Sequence, residues 1–143
     1  MTTREVINEI EKIGICEEWK SEMLASPTVP MLCRMFFDGD DWSLKNNFPS
    51  EEMLKHFKGQ TEPHGLFLDA SGKVETMAKM AFFGYSNVEL NYGDFSVSSL
   101  ILRGNSKAKI TAKDYSVVFV TVLDNAEVVV EEQDHAKVKI FRR

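Results

Sequence analysis

The sequence predicts an α+β protein in which an N-terminal helical head, residues 1–60, precedes a short parallel β-solenoid, residues 61–143. Three observations lead to this prediction. Residues 84–143 divide without gaps into six ten-residue units, and units twenty residues apart resemble each other more than neighbouring units do. Residues 1–60 instead place apolar side chains at helical spacing.

The ten-residue units share one pattern. They read GYSNVELNYG, DFSVSSLILR, GNSKAKITAK, DYSVVFVTVL, DNAEVVVEEQ and DHAKVKIFRR. Each unit begins with Gly or Asp, has Ser or Ala at its third position, and then places aliphatic or small residues at alternate positions. Alternation by two is typical of strands, and Gly, Asp and Asn favour turns. The pattern therefore predicts short strands joined at corners.

The resemblance between alternate units favours a solenoid over an antiparallel meander. DFSVSSLIL matches DYSVVFVTV, whereas a meander gives no reason for alternate strands to share side chains. In a solenoid, equivalent residues of successive coils lie directly above one another. We therefore predict three regular coils of about 20 residues over residues 84–143, each with two principal strands. Residues 64–83 match the repeat weakly and predict an irregular capping coil, in which a turn over residues 69–72 separates a strand at residues 66–68 from one at residues 78–80.

This register assigns every strand residue an inward or an outward direction. The predicted inward columns are Val88/Ala108/Val128, Leu90/Ile110/Val130, Ser98/Val118/Val138 and Leu100/Val120/Ile140. The outward columns of one face are Asn87/Lys107/Glu127 and Glu89/Lys109/Val129, which bring opposite charges together and predict a solvated face.

The outward positions of the other face are unusually apolar. We call them the apolar face and predict that they form a candidate partner surface: Val97, Ile101, Val117, Phe119 and Phe141. A contiguous patch of this kind is rarely left in water. Either the helices of the head or a second copy of the protein is expected to cover it, and effective concentration favours the head. Basic residues at the end of the repeat are expected to discourage end-to-end addition of further chains.

The apolar spacing in the helical head predicts about four helices, three of which begin at a capping residue: Thr2, Thr28 and Ser50. Gly14 and Gly59 are expected to end the first and last helices. Residues 42–46 predict a turn or a short helix. All four prolines lie outside the repeat, and residues 60–63 form the candidate joint between the head and the solenoid, which we expect to pack as one compact unit.

Charge and composition exclude several classes of function. Residues 1–60 carry a net charge of −4 and residues 61–143 a net charge of −1, so neither part has the basic footprint of a nucleic-acid binder. No apolar run is long enough to span a membrane, and the first residues lack the pattern of a secretory signal. We therefore expect a cytoplasmic protein with reduced cysteines, Cys16 and Cys33, and with no cofactor, metal, nucleic-acid or membrane partner.

Two motifs in the head suggest chemistry but fit packing better. A Cys followed by Arg opens the active-site loop of rhodanese-type sulfurtransferases, and Cys33-Arg34 has this order. Here Met35-Phe36-Phe37 follows on a helical stripe, without the glycines that such a loop uses. Residues 38–41, Asp-Gly-Asp-Asp, suggest a calcium loop. An EF-hand starting at Asp38 would place Trp42 and Pro49 where oxygen ligands are required. A helix end followed by a helix start explains this segment.

Two columns of corner residues are candidates for binding. Asp94, Asp114 and Asp134 are predicted to stack and could hold a cation, although Asp also makes its own turn by bonding the backbone two residues on. The column Phe95/Tyr115/His135 is predicted to be an aromatic ladder that could bind a carbohydrate or another ligand.

The order of these segments resembles a known group of proteins. Segments such as GICEEW and FPSEEMLKHFKG in the head, then HGLFLD, then DYSV and DNAEV repeats, are similar to an uncharacterised gut-bacterial family with a helical head and a β-solenoid tail. Some members of that family carry the label "rhodanese-related sulfurtransferase". The resemblance spans nearly the whole chain. It implies the fold and no established activity.

These observations favour a non-enzymatic interaction or structural protein whose solenoid presents a rigid surface to a protein partner or to itself. Two alternatives belong to other classes. One is a sulfurtransferase-like enzyme that uses Cys33, and the other is a solenoid that binds a glycan or another ligand along Phe95, Tyr115 and His135.

Overall fold

The computed structural model describes residues 1–143, which divide into two compact units, Met1–His64 and Gly65–Arg143. The first unit contains five α-helices and a short 3-10 turn, Glu62–His64. The helices are α1 Thr3–Ile13, α2 Glu17–Ala25, α3 Val29–Asp38, α4 Asp40–Lys45 and α5 Glu51–His56. The segment expected to be a turn or a short helix is α4, which brings the helix count to five.

The helices of the first unit begin where the capping residues predict. The side-chain oxygens of Thr2, Thr28 and Ser50 accept hydrogen bonds from backbone N–H groups three residues further on. Each bond satisfies a donor that the first turn of a helix leaves unpaired. Gly39 separates α3 from α4, so the interpretation of residues 38–41 as a helix end and a helix start is confirmed. The apolar stripes form a buried core of Val6, Ile7, Ile10, Met23, Met35 and Phe48.

The second unit is a β-solenoid of nine strands. They are β1 Leu66–Leu68, β2 Ser71–Lys73, β3 Lys79–Phe83, β4 Asn87–Tyr92, β5 Val97–Leu102, β6 Lys107–Ala112, β7 Val117–Val122, β8 Glu127–Glu132 and β9 Lys137–Arg142. The odd-numbered strands form a five-stranded sheet in the order β1-β3-β5-β7-β9, and the even-numbered strands form a four-stranded sheet in the order β2-β4-β6-β8. Every neighbouring pair is parallel, which confirms the α+β solenoid and excludes a meander.

Neighbouring strands of the regular coils pair residues twenty apart. Leu90 lies beside Ile110 and Leu100 beside Val120, so the predicted inward columns are confirmed. Their side chains form one core between the two sheets, with Leu90, Leu100, Ile110, Val118 and Val120 fully buried. The inward residues of β8 and β9 are less buried, because the last coil packs against a neighbouring coil on one side only.

The first coil is irregular, as predicted, but it contains an additional strand. Leu66 pairs with Ala81 and Ser71 pairs with Asn87, so the offsets fall short of twenty. Residues 64–83 therefore hold three strands, where the prediction placed two strands and a turn over residues 69–72. Asp69 already has a positive φ of 52°, which turns the chain early and allows Ser71–Lys73 to pair with β4.

The corner aspartates adopt left-handed backbone conformations and connect the coils. Asp94, Asp114 and Asp134 have φ values of 53°, 59° and 56°. Oδ2 of Asp114 accepts the Asp94 N–H at 2.8 Å, and Oδ2 of Asp134 accepts the Asp114 N–H at 3.1 Å. Sequence reasoning expected each carboxylate to bond its own turn. The structure shows bonds to the preceding coil, because stacking brings that coil's N–H group within reach.

Gly104 lies at the corner of the coil opposite the aspartate column, where the backbones of successive coils approach closely. Its φ is 70°, and a Cβ built on it would lie 3.0 Å from the backbone N and O of Gly84. We expect Gly104→Ala to lower the free energy of unfolding by about 1–3 kcal/mol, because both a positive φ and a backbone contact oppose the methyl group. Chemical denaturation measures this change. Gly72→Ala is the control, since Gly72 has a φ of 89° and open space around it; equal losses would contradict the close approach.

Tyr92 carries the one buried side-chain polar atom without a hydrogen-bond partner, its phenolic oxygen. Burial raises the pKa of Tyr92 above its ordinary value. We expect Tyr92→Phe to raise the free energy of unfolding by about 1 kcal/mol, because an unsatisfied buried hydroxyl is removed. Thermal denaturation measures the effect, and Tyr115→Phe, on an exposed ring, serves as the control. A marked destabilisation by Tyr92→Phe would show that the hydroxyl has a partner.

Candidate functional site

The apolar face lies on the outward side of the five-stranded sheet. Val97 pairs with Val117 and Ser99 with Phe119, so these side chains are neighbours. Val97, Phe119 and Phe141 are exposed and Val117 is half-buried. Ile101 is buried, as is Ala81, the residue paired with it. The structure therefore leaves four of the five predicted surface residues accessible.

Two lysines of β9 border the accessible part of the apolar face. Lys137 lies beside Val117 and Lys139 lies beside Phe119, and both lysines are exposed. The surface thus combines valine and phenylalanine side chains with two ammonium groups. Such a mixture suits a partner that brings apolar side chains and carboxylates, because charge complementarity adds orientation to hydrophobic contact.

The outward side of the four-stranded sheet is charged. Lys107 Nζ lies 3.7 Å from Glu127 Oε2, and both side chains are largely exposed. An ion pair of this kind contributes about 0–1 kcal/mol. The prediction that opposite charges meet between coils is confirmed at this pair.

Phe95, Tyr115 and His135 form the predicted aromatic ladder. The ring centroids of Phe95 and Tyr115 are 5.1 Å apart with planes 6° apart, and those of Tyr115 and His135 are 4.8 Å apart with planes 13° apart. All three residues are exposed. Within the stack each ring covers its neighbour's face, so mainly ring edges meet the solvent. Sugars bind aromatic rings through an open face, which only the two ends of the ladder offer. The geometry therefore suits stabilisation of the corner.

The aspartate column uses its carboxylates within the fold. Asp114 and Asp134 each accept a backbone N–H from the preceding coil, as described above. The structure contains no group of three or more His, Cys, Asp or Glu side chains placed to hold a metal ion. The column acts as a series of links between coils.

Arg103 and Asp124 form a link that sequence reasoning missed. Asp124 Oδ2 accepts the Gly104 N–H at 2.9 Å and lies 3.1 Å from Arg103 Nε. Partial burial opposes ionisation of Asp124, but these two donors outweigh it and lower the pKa of its carboxyl group. The sequence contains a pattern from which this link could have been predicted. Asp124 lies twenty residues after Gly104, and both residues begin a ten-residue unit, as the residues of the predicted aspartate column do.

Cys33 lies in α3 and is buried. Burial, with a smaller contribution from the Glu62 carboxylate, raises the pKa of its thiol to about 11. A nucleophilic cysteine needs the opposite shift, because the thiolate is the reactive form. Packing in the core therefore explains Cys33 better than catalysis does.

Cys16 is exposed and lies at a small apolar cleft that the sequence did not indicate. The cleft has a volume of about 240 Å³ and is lined by Gly14, Ile15, Cys16, Trp19, Gly39 and Trp42. Trp42 Nε1 donates a hydrogen bond to the Gly14 carbonyl oxygen at 3.3 Å, which leaves the cleft with few polar groups. The residues that line the cleft include no acidic or basic side chain.

No helix of the protein has the length and apolar character needed to cross a membrane. Comparison with known proteins finds no match to this chain, whether among protein-family models, curated proteins or solved structures.

Proposed function

We propose that the protein is a non-enzymatic interaction protein whose solenoid presents the accessible apolar face to a protein partner. The observation that carries this proposal is the exposure of apolar side chains in adjacent strands. Val97 is 65% exposed, Phe119 36% and Phe141 50%. Exposed apolar side chains grouped in this way mark interaction sites.

The backbone beneath this face supports the proposal. β5, β7 and β9 pair in register over six residues each, so the positions of the outward side chains are fixed before binding. A preorganised surface loses less conformational entropy when it binds. Lys137 and Lys139 favour a partner with acidic residues around an apolar centre.

The sequence also contributes to the proposal. Free cysteines, one of them exposed, are usual in a reducing compartment, and we place the interaction in the bacterial cytoplasm on that basis and on the family resemblance. The net negative charge of both parts of the chain favours a protein over a nucleic acid as the partner.

Site-specific photo-crosslinking in the producing cells tests the proposal. A benzophenone amino acid at position 119 should yield a discrete adduct with another protein, and Val97→Glu should abolish that adduct because it charges the neighbouring apolar contact. The matched control carries the same probe at position 89, an exposed outward position of the four-stranded sheet. Equal adducts at both positions, or none at position 119, would contradict the proposal.

A further inference from the structure

The last coil of the solenoid leaves two strand edges open. β8 and β9 are the final strands of the four-stranded and five-stranded sheets, so one edge of each has no neighbouring strand. An edge of this kind presents backbone N–H and C=O groups that can pair with another strand. The two edges lie side by side at one end of the core.

Apolar side chains are concentrated at this end. Val129 is 66% exposed, Ile140 41% and Phe141 50%. The equivalent residue of Ile140 one coil earlier, Val120, is fully buried. The last coil thus combines open backbone edges with apolar surface that earlier coils cover.

The composition of the last coil differs from that of the coils before it. Glu132 follows Tyr92 and Ala112 in one column, and Arg142 follows Leu102 and Val122 in another. Both charged residues stand at the last position of their strand and are exposed.

The two edges carry opposite charges. β8 contains Glu127, Glu131 and Glu132 and no basic residue, whereas β9 contains Lys137, Lys139 and Arg142 and no acidic residue. The sequence analysis expected charge at this end to discourage end-to-end addition of further chains, and repulsion of this kind requires two edges of like charge. An acidic edge placed on a basic edge is instead attractive.

Symmetry provides one arrangement that brings unlike edges together. Consecutive strands of a coil run in opposite directions, since the chain must return to the same sheet after twenty residues. A two-fold axis parallel to the strands therefore places β8 of one copy on β9 of a second copy in antiparallel orientation, twice. A two-fold axis across the strands would place β8 on β8 and β9 on β9, which opposes like charges.

The antiparallel pairing also matches individual side chains. Outward residues must lie beside outward residues, because side chains alternate between the two faces of a strand. The register that places Val129 beside Phe141 of the second copy also places Glu131 beside its Lys139. The two most exposed apolar residues of the outward face of this coil then cover each other next to an ion pair.

We propose that the last coil is a self-association surface at which a second copy of the protein docks, with β8 of each copy pairing antiparallel with β9 of the other. The dimer is closed, because each copy uses both of its open edges at this end. This inference goes beyond the proposed function, which concerns a different protein docking on the outward face of β5, β7 and β9. The two surfaces share Phe141 and Lys139 of β9.

Sedimentation equilibrium of the full chain tests this inference with charge-reversed variants. The wild type is expected to be a dimer. Glu131→Lys and Lys139→Glu should each raise the dimer dissociation constant by about tenfold or more, because each puts like charges opposite each other at both contacts. The double variant Glu131→Lys/Lys139→Glu should restore the dimer, since it exchanges the two charges. If β8 paired with β8 and β9 with β9, each single reversal would leave like charges opposed or bring unlike charges together, so neither would weaken the dimer.

Two reversals on exposed positions away from the end serve as controls. Glu89→Lys and Lys109→Glu change charge by the same amounts on the outward side of β4 and β6 and should leave the dimer intact. Circular dichroism checks that every variant is folded. A monomeric wild type, dimers that ignore the reversals at positions 131 and 139, or a double variant that fails to recover would each overturn the inference. None of these results would bear on crosslinking at position 119.

Discussion

Replacing Leu100 by alanine is expected to lower the free energy of unfolding by about 2–5 kcal/mol. Leu100 is 0% exposed, lies between the two sheets and is paired on both sides, with Met80 and with Val120. Truncation removes buried apolar contacts and leaves a cavity that the rigid ladders on either side cannot close. Urea denaturation followed by circular dichroism of the strands measures the loss.

Ile140→Ala is the matched control in the same column. Ile140 is 41% exposed and has a neighbouring strand on one side only, so its truncation should cost about 1 kcal/mol or less. The comparison should be made at protein concentrations well below any dimerisation. Similar losses at positions 100 and 140 would show that burial does not depend on the place of a coil in the stack, contrary to the structure.

Thiol labelling should modify Cys33 at least about a hundred times more slowly than Cys16. Cys33 is buried and Cys16 is exposed. With a pKa of about 11, the Cys33 thiol is ionised to roughly one part in a thousand at pH 8, and only the thiolate reacts. Mass spectrometry after timed exposure to iodoacetamide at pH 8 measures both rates.

The Cys16→Ser variant isolates the slow reaction, and labelling in denaturant gives the reference rate for an accessible Cys33. Rapid labelling of Cys33 in the folded protein would support the sulfurtransferase-like alternative and would weaken the non-enzymatic proposal. Slow labelling of Cys33 in the folded protein, together with labelling at the reference rate in denaturant, would support burial of Cys33 in the protein interior.

The stacking could be predicted from the sequence because each coil repeats the residue types of the previous coil at equivalent positions. Leu90, Ile110 and Val130 occupy equivalent positions, and a parallel ladder is the arrangement in which such residues lie side by side. The helix starts at Thr2, Thr28 and Ser50 were predictable for a similar reason, since capping depends on residues within one turn.

Features that depend on a residue's wider surroundings were not predictable. Ile101 and Phe119 are both outward and apolar, yet Ile101 is buried and Phe119 is exposed. Strand periodicity assigns a direction to a side chain and gives no information on what lies beyond the sheet. The strand Ser71–Lys73 was not predicted because its three residues, Ser-Gly-Lys, have little strand propensity. Pairing with β4 stabilises it as a strand.

The bonds made by the corner aspartates show the same limit. A preference of Asp for turns is local and was recognised, whereas the acceptance of the Asp94 N–H by Asp114 requires the coil spacing itself. The same is true of Arg103 and Asp124, which are twenty-one positions apart and meet only through stacking.

The most direct test of the structure is whether a disulfide forms between residues twenty positions apart on the apolar face. Both proposed interaction surfaces depend on such residues being neighbours. In a Cys16→Ser/Cys33→Ala background, the pair Ser99→Cys/Phe119→Cys joins directly aligned positions of β5 and β7, and adjacent strands lie about 4.8 Å apart. Mild oxidation should close an intramolecular disulfide between them. The control pair, Ser99→Cys/Lys109→Cys, lies on opposite sheets and should stay reduced. A disulfide in the control pair and none between positions 99 and 119 would contradict the stacked coils.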